Sequence, residues 1–390
     1  NILHFFAPDT AQHQLIVGSY TKKGNPGIEV YAVNAVTGKP KLLYTKENAN
    51  ASYLTLANNG KSMYAVTEGG KDASFVSAYQ LDATNQFQKI NQEPIKGAAP
   101  CFIVSRPESK TVYTANYTSG SVSVFKTLDN GALLPIAQEI NYSGSSIHKA
   151  RQEASHAHNV VLTPDHNQLL VTDLGADKIY MHKIYADGLL DEKYTTVSIT
   201  PGNGPRHFVF NNSGTHGYLI NELSGTVDVF SIRANALEKI QTITADTAKT
   251  TATKGSGDIH ISPSGKWLIT TNRVTSEQLT VFKIEADGKL TKMYHQPVAQ
   301  RPRNFSFSPN GNFVFVASQS EDKVQIFSFD DITGKLTNTN QDMAVSGPVC
   351  LVFSNDAMEV NPEERIKQLN IQLIPVVPPI ANYVKQVQVG

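Results

Sequence analysis

The sequence predicts an all-β fold, a seven-bladed β-propeller whose ring is closed by the C-terminal strand pairing into the first blade. Three observations carry this reading. A unit of apolar strand, Ser-Pro-Asp-Gly-like turn, apolar strand and then Val-x-Val-Phe recurs along the chain. It is clearest in Asn304-Phe305-Ser306-Phe307-Ser308-Pro309-Asn310-Gly311, Ile259-His260-Ile261-Ser262-Pro263-Ser264-Gly265 and His207-Phe208-Val209-Phe210-Asn211-Asn212-Ser213-Gly214. Setting Gly60, Ser109, His166, Gly214, Gly265 and Gly311 at one turn position gives spacings of 49, 57, 48, 51 and 46 residues, the period of one four-stranded blade. Finally, the two ends are complementary: the first repeat lacks an inner strand and the last carries a surplus one.

Each repeat reads as strands A, B, C and D. The first opens directly at B with Leu15-Ile16-Val17-Gly18-Ser19-Tyr20, and Gly27-Ile28-Glu29-Val30-Tyr31 follows as C. Repeats two to four begin with weaker A strands leading to the turns at Gly60, Ser109 and His166. In the fifth, A is 207–211, B 217–222, C 226–232 and D 237–242; in C, Val227, Val229 and Ile232 alternate with Asp228 and Ser231, the mark of a strand with two unlike faces. Glycine or Asn/Asp turns separate the strands, supplying the backbone angles of tight hairpins. At the far end Gly347-Pro348-Val349-Cys350-Leu351-Val352-Phe353 reads as an A strand with no B after it. Placing it in the first blade closes the ring and removes exposed sheet edges. The propeller then spans 13–354.

Residues 355–390 differ in character. Asn361 and Pro362 read as N-cap and first residue of a helix, and a proline-rich stretch and a strand-like end follow. This segment resembles the opening of the reactive-intermediate deaminase family through Ala381-Asn382-Tyr383-Val384. Only about thirty residues match, the resemblance stops short of that family's catalytic core, and an inactive appendage is the expectation.

Composition narrows the function. The chain has 390 residues, with 34 Lys plus Arg balanced by 34 Asp plus Glu, so no basic surplus points to nucleic acid. No apolar run approaches the ~18 residues of a membrane helix. Cys101 and Cys350 are the only cysteines and fall in different repeats, which argues against a disulfide framework and for a reducing, cytoplasmic setting. Export is the alternative, because the sequence begins at Asn1 with the mildly apolar Ile2-Leu3-His4-Phe5-Phe6-Ala7.

Repeat registration also predicts a site. The start of A and the end of B share one edge of a blade, and A is innermost, so this edge opens onto the central channel. Eight residues before the turn stand Ser52, Cys101, His158, Arg206, Gly257 and Arg303; eight after it stand Glu68, Tyr117, Leu174, Glu222, Arg273 and Gln319, with Tyr20 equivalent in the first blade. Two guanidiniums facing one funnel imply an anionic guest; the bland alternative is a polar ring holding ordered water. One step earlier on B, Ser19, Thr67, Asn116, Asp173, Asn221, Asn272 and Ser318 are small and polar, suited to satisfying backbone groups where the strand ends. Asp173 is therefore expected to be structural, and His156, His207, His216 and His260 to be packed or at the surface. No metal-ligand grouping, nucleophile elbow, phosphate loop or dinucleotide fingerprint is present, so neither metal nor cofactor is expected.

Gln152-Glu153-Ala154-Ser155-His156-Ala157-His158, Asp173-Leu174-Gly175-Ala176-Asp177, Gly204-Pro205-Arg206-His207, Asn221-Glu222-Leu223 and Arg301-Pro302-Arg303-Asn304-Phe305 resemble the motifs of the seven-bladed lactonase family. That family includes propeller-type 6-phosphogluconolactonases and 3-carboxy-cis,cis-muconate cyclases. The resemblance implies a hydrolase that opens a sugar lactone, 6-phosphogluconolactone in the pentose phosphate pathway being the expected one, with His158, Arg206, Glu222 and Arg303 as active residues. Arg273, Glu68, Tyr20 and Tyr117 join them as candidate substrate contacts. Lactone opening needs an activated water, a stabilised oxyanion and a protonated leaving alkoxide; His158 and Glu222 are the acid/base candidates and the arginines the anion candidates. The alternatives are a muconate cyclase using the same four residues and a non-catalytic binding propeller, to which Val112-Tyr113-Thr114-Ala115-Asn116-Tyr117 lends some support.

Overall fold

The computed structural model describes residues 11–354, apart from 23, 235 and 251. They form seven antiparallel sheets, six of four strands and one of five, with no α-helix among the described residues. The helix start expected near Asn361 lies outside them, as does the rest of the 355–390 segment. In blade 1 strand A is Pro348–Phe353, B Gln12–Ser19, C Gly27–Asn34 and D Pro40–Glu47. The A strands of blades 2 to 7 are Leu54–Ala57, Pro100–Arg106, Ala157–Leu162, Pro205–Phe210, Ser256–Ile261 and Pro302–Phe307. Four of the seven A strands begin with proline, which is tolerated there because the inner strand is a sheet edge with no outer partner to supply.

The ring closes through the expected pairing of the C-terminal strand into the first blade. Leu15 pairs with Phe353, Ile16 with Val352, Val17 with Leu351 and Gly18 with Cys350. The hydrophobic core is divided into seven clusters, one at each interface between neighbouring blades. Strand period explains how one strand serves two of them: Leu15 and Val17 pack toward blade 7 while Ile16 packs toward blade 2. The B strands are apolar on both sides for that reason. Strand C of blade 5 has two unlike faces, and Asp228 on the polar one is fully buried. Asn221 donates to it at 3.0 Å and Thr242 also bonds it, so the unlike face is a satisfied polar one.

Recurrent ties brace the ring. The hydroxyls of Tyr64, Tyr113 and Tyr218, on the B strands of blades 2, 3 and 5, donate to the carbonyls of Gly131, Gly188 and Gly288 in the next blade at 2.8–2.9 Å. Around the channel, the free N–H of Phe208 is taken by Asn159 and that of Leu351 by Asn304, which satisfies inner-edge donors that would otherwise be buried unpaired.

Because blade 1 borrows its inner strand from the chain's far end, ending the chain at Ser346 should abolish cooperative melting. A truncation that melts like the parent would show that ring closure contributes little.

Candidate active site

The side chains of the site are aimed by a recurrent irregularity of the inner strands. In blade 3 Pro100 pairs with Asn116 and Phe102 with Ala115, which leaves Cys101 with no opposite number. The same slip isolates His158 between Ala157 and Asn159, Arg206 between Pro205 and His207, and Arg303 between Pro302 and Asn304. A bulged residue is unpaired and turned relative to its neighbours, and here all four turn into the channel. The bulge also explains why strand A of blade 5 begins at Pro205, two residues before the expected start. From the other side come residues that directly follow the B strands: Tyr20, Glu68, Tyr117, Glu222 and Arg273.

Together these residues line a cavity of about 300 Å³: Tyr20, Glu68, Cys101, Tyr117, Arg151, His158, Arg206, Glu222, Arg273 and Arg303. All eight residues singled out in the sequence are present. Leu174 and Gln319, at the same register, are not among the lining residues. Arg151 is the residue that repeat registration missed. It sits on the connection from blade 3 to blade 4, where the turn spacing stretches to 57 residues, and that excess length was its only trace in the sequence.

Glu222 is the hub. Arg206 Nε donates to its Oε2 at 3.0 Å, Arg151 Nη2 to its Oε1 at 2.7 Å, and Arg273 Nη2 lies 3.3 Å from Oε2. Burial alone would raise its pKa, but the charges of Arg273, Arg206 and Arg151 outweigh that and hold it at about 2. Glu222 is therefore a fixed carboxylate at neutral pH, which removes it as a proton donor. Arg273, anchored on the Gly255 carbonyl at 2.9 Å, is pulled down to about 9 by burial and by Arg206 and stays cationic near neutrality. Burial also lowers Arg206, whose Nη1 bonds the Gly257 carbonyl at 2.6 Å. Gly257 has to be a glycine, because a Cβ there would stand 2.5 Å from Thr271 Oγ1.

Arg303 is set apart. It makes no hydrogen bond among the described residues, and its guanidinium lies over the Tyr20 ring at 5.2 Å. Burial works against its charge, but Tyr20 and Glu68 outweigh that and raise its pKa. Tyr20 in turn donates to Glu68 at 2.8 Å. Tyr117 receives Arg151 Nη2 at 3.2 Å, and its ring stacks on His156 at 4.4 Å.

His158 faces Glu222 with Nε2 4.0 Å from Oε2, and its Nδ1 is 3.7 Å from Cys101 Sγ. Burial first, and then Arg206, His207 and Arg303, push its pKa well below the ordinary value, so the imidazole is neutral and able to accept a proton. Burial pushes the Cys101 thiol up, which leaves it no nucleophile. Asp173 sits outside the cavity, accepting from the N–H groups of His156, Gly175 and Ala176 and from the Tyr180 hydroxyl, a structural role. The next residues along the A strands, Tyr53, Phe102 and His207, pack together as a floor: Tyr53 and Phe102 stack at 3.9 Å, and Phe102 meets His207 edge-on at 5.2 Å. His207 and His260 are not isolated packed histidines; both bond Asp258.

A closed seven-bladed ring with an Arg/His/Glu cavity at one mouth defines a class, and comparison with known proteins identifies it. The model of the seven-bladed β-propeller lactonases matches residues 14–353. The chain is 34% identical to a 6-phosphogluconolactonase of Formosa agariphila over 343 residues, covering 85% of this chain and 97% of that protein. It is 30% identical to the 6-phosphogluconolactonase of Bacillus subtilis, covering 86% and 97%. Among solved structures it resembles a Bacteroides fragilis protein provisionally assigned as a 6-phosphogluconolactonase, with 38% identity, TM-score 0.84 and coverage of 88% and 98%. It also resembles the periplasmic gluconolactonase of Pseudomonas aeruginosa, with 32% identity, TM-score 0.83 and coverage of 88% and 99%. The chain belongs to the seven-bladed β-propeller lactonase family, and it is a lactone hydrolase.

The charge balance at Glu222 generates a prediction. Its depressed pKa contributes stability that is present above the usual carboxylate value of 4.5 and is lost as pH falls through about 2. Glu222→Gln leaves three guanidiniums uncompensated and should cost about 3–5 kcal/mol of stability. Inorganic phosphate should raise the variant's Tm more than the parent's; equal shifts would mean that the arginines do not share the carboxylate.

Proposed function

We propose that the substrate is 6-phosphogluconolactone and that His158 is the general base of its hydrolysis. The observation that carries the substrate is the unequal charge of the cavity, where four arginines face two carboxylates. Three guanidiniums converge on Glu222, whereas Arg303 keeps its hydrogen-bonding fork for a guest, and a phosphate dianion matches that surplus. A neutral sugar lactone offers nothing to neutralise it.

The chemistry then runs as follows. Nε2 of neutral His158 takes a proton from a water as its oxygen attacks the lactone carbonyl carbon. Arg206, one blade away, receives the developing oxyanion. Collapse breaks the bond to the ring oxygen, and the imidazolium returns the proton to the departing alkoxide. The products are a carboxylate, a new hydroxyl and one proton released to solvent. Ionised Glu222 steadies the imidazolium while it lasts and holds Arg206, Arg151 and Arg273 in place. Arg303, carried over the Tyr20 ring, anchors the distal phosphate.

The decisive experiment follows freshly generated 6-phosphogluconolactone and unphosphorylated gluconolactone, each against its spontaneous rate. A preference for the phosphorylated lactone that vanishes in Arg303→Lys through a higher KM supports the assignment. Equal kcat/KM for both lactones overturns it, and turnover of a carboxylated muconate in their place would point to the cyclase reaction. His158→Asn should lower kcat by ~100- to 10,000-fold. Because His158 must be neutral to act and its pKa is depressed, kcat/KM should hold from neutrality down past pH 6.5 and fall only below it. A limb centred at or above 6.5 would assign the base elsewhere.

A further inference from the structure

Beneath Arg206 lies a set of buried polar groups that lactone opening does not itself use. His207 Nδ1 is 2.7 Å from Asp258 Oδ1, and His207 Nε2 is 3.3 Å from Arg206 Nη1. The other oxygen of Asp258 is held by His260 Nε2 at 2.8 Å, by Asn304 Nδ2 at 2.6 Å and by the Phe305 N–H at 3.3 Å. His207 and Asp258 are both buried.

We propose that His207, oriented by Asp258, is a positioning residue for Arg206: it presents an Nε2 lone pair that fixes which face of the guanidinium meets the lactone. A guanidinium has only donors, so a histidine beside it helps only if the facing nitrogen is bare. Asp258 secures this by accepting the hydrogen bond from Nδ1–H, as an outer carboxylate fixes a histidine tautomer elsewhere. Arg206 is then held on three sides. Nε goes to Glu222, and Nη1 goes to both the Gly257 carbonyl and His207. Nη2 makes no hydrogen bond among the described residues, and both its protons are left for the oxyanion. Burial drives His207 down to about 4, with Arg206 adding to the effect, so it remains an acceptor near neutrality.

This inference rests on Arg206 acting at the lactone carbonyl. The competing role for His207 is packing in the floor with Tyr53 and Phe102, and two variants separate the roles in opposite directions. His207→Phe keeps an aromatic ring but offers no acceptor; His207→Gln offers an acceptor and a donor without the ring. Positioning predicts that His207→Phe loses roughly 10- to 100-fold in kcat with KM nearly unchanged, while His207→Gln keeps most activity. A tolerated Phe beside a costly Gln, or two silent variants, overturns the proposal. If both are costly, the Arg206→Lys background decides: His207→Phe should cost nothing further there, and a persisting loss overturns the proposal. If Arg206→Lys itself leaves kcat intact, it is the role of Arg206 that fails. Independently of activity and of variant folding, nitrogen NMR of the histidine-labelled wild-type protein should show His207 protonated at Nδ1 and bare at Nε2; the opposite tautomer overturns the proposal.

Discussion

The site depends on one backbone device, the bulge at the start of the inner strands of blades 3, 4, 5 and 7. Regular pairing would alternate side chains between the two interfaces that a blade shares with its neighbours, and every A-strand residue would be drawn into the packed core. By leaving one residue without a partner, the bulge releases it from that alternation and turns it toward the axis. Cys101, His158, Arg206 and Arg303 all occupy this place. The device works only in a closed ring, because the bulged residues come from different blades and share a cavity only if the blades are held around one axis. Closure through Leu15–Phe353 pairing is thus as much a condition of the chemistry as of the fold.

A second constraint is electrostatic. Four arginines drawn into one buried mouth would repel one another, and Glu222 is what makes their convergence tolerable. Its carboxylate offsets part of the charge and organises the rest, leaving a field suited to an anion. Glu222 held at about 2 and His158 kept neutral are unlike groups: one is a fixed charge and the other a free proton acceptor. The sequence had treated the two as an interchangeable acid/base pair.

Tyr53, Phe102 and His207 pack against one another directly after the bulge-level residues Ser52, Cys101 and Arg206, and Tyr53 and Phe102 also line a second, larger mouth of about 720 Å³. The second mouth is lined largely by apolar side chains such as Val160, Ile261, Phe307 and Phe353, unlike the charged one. The two mouths of one channel therefore have opposite chemistry, set by which end of the A strand faces each.

The sequence by itself determined the repeat, the number of blades, the closing strand and the strand ends that face the axis, because all four follow from strand period and turn spacing. Arg206, Glu222 and His158 were legible for that reason. Arg151 was not, since it lies on an irregular connection with no repeat partner, and its approach to Glu222 depends on how that loop crosses from blade 3. Asp258 and His207 were equally out of reach as a pair: they lie 51 residues apart on inner strands of adjacent blades, and only ring packing brings them to 2.7 Å. Local pattern specifies which way a side chain faces, whereas the charge it carries depends on neighbours from other blades. The protonation states of Glu222 and His158 were accordingly decided by the tertiary structure alone.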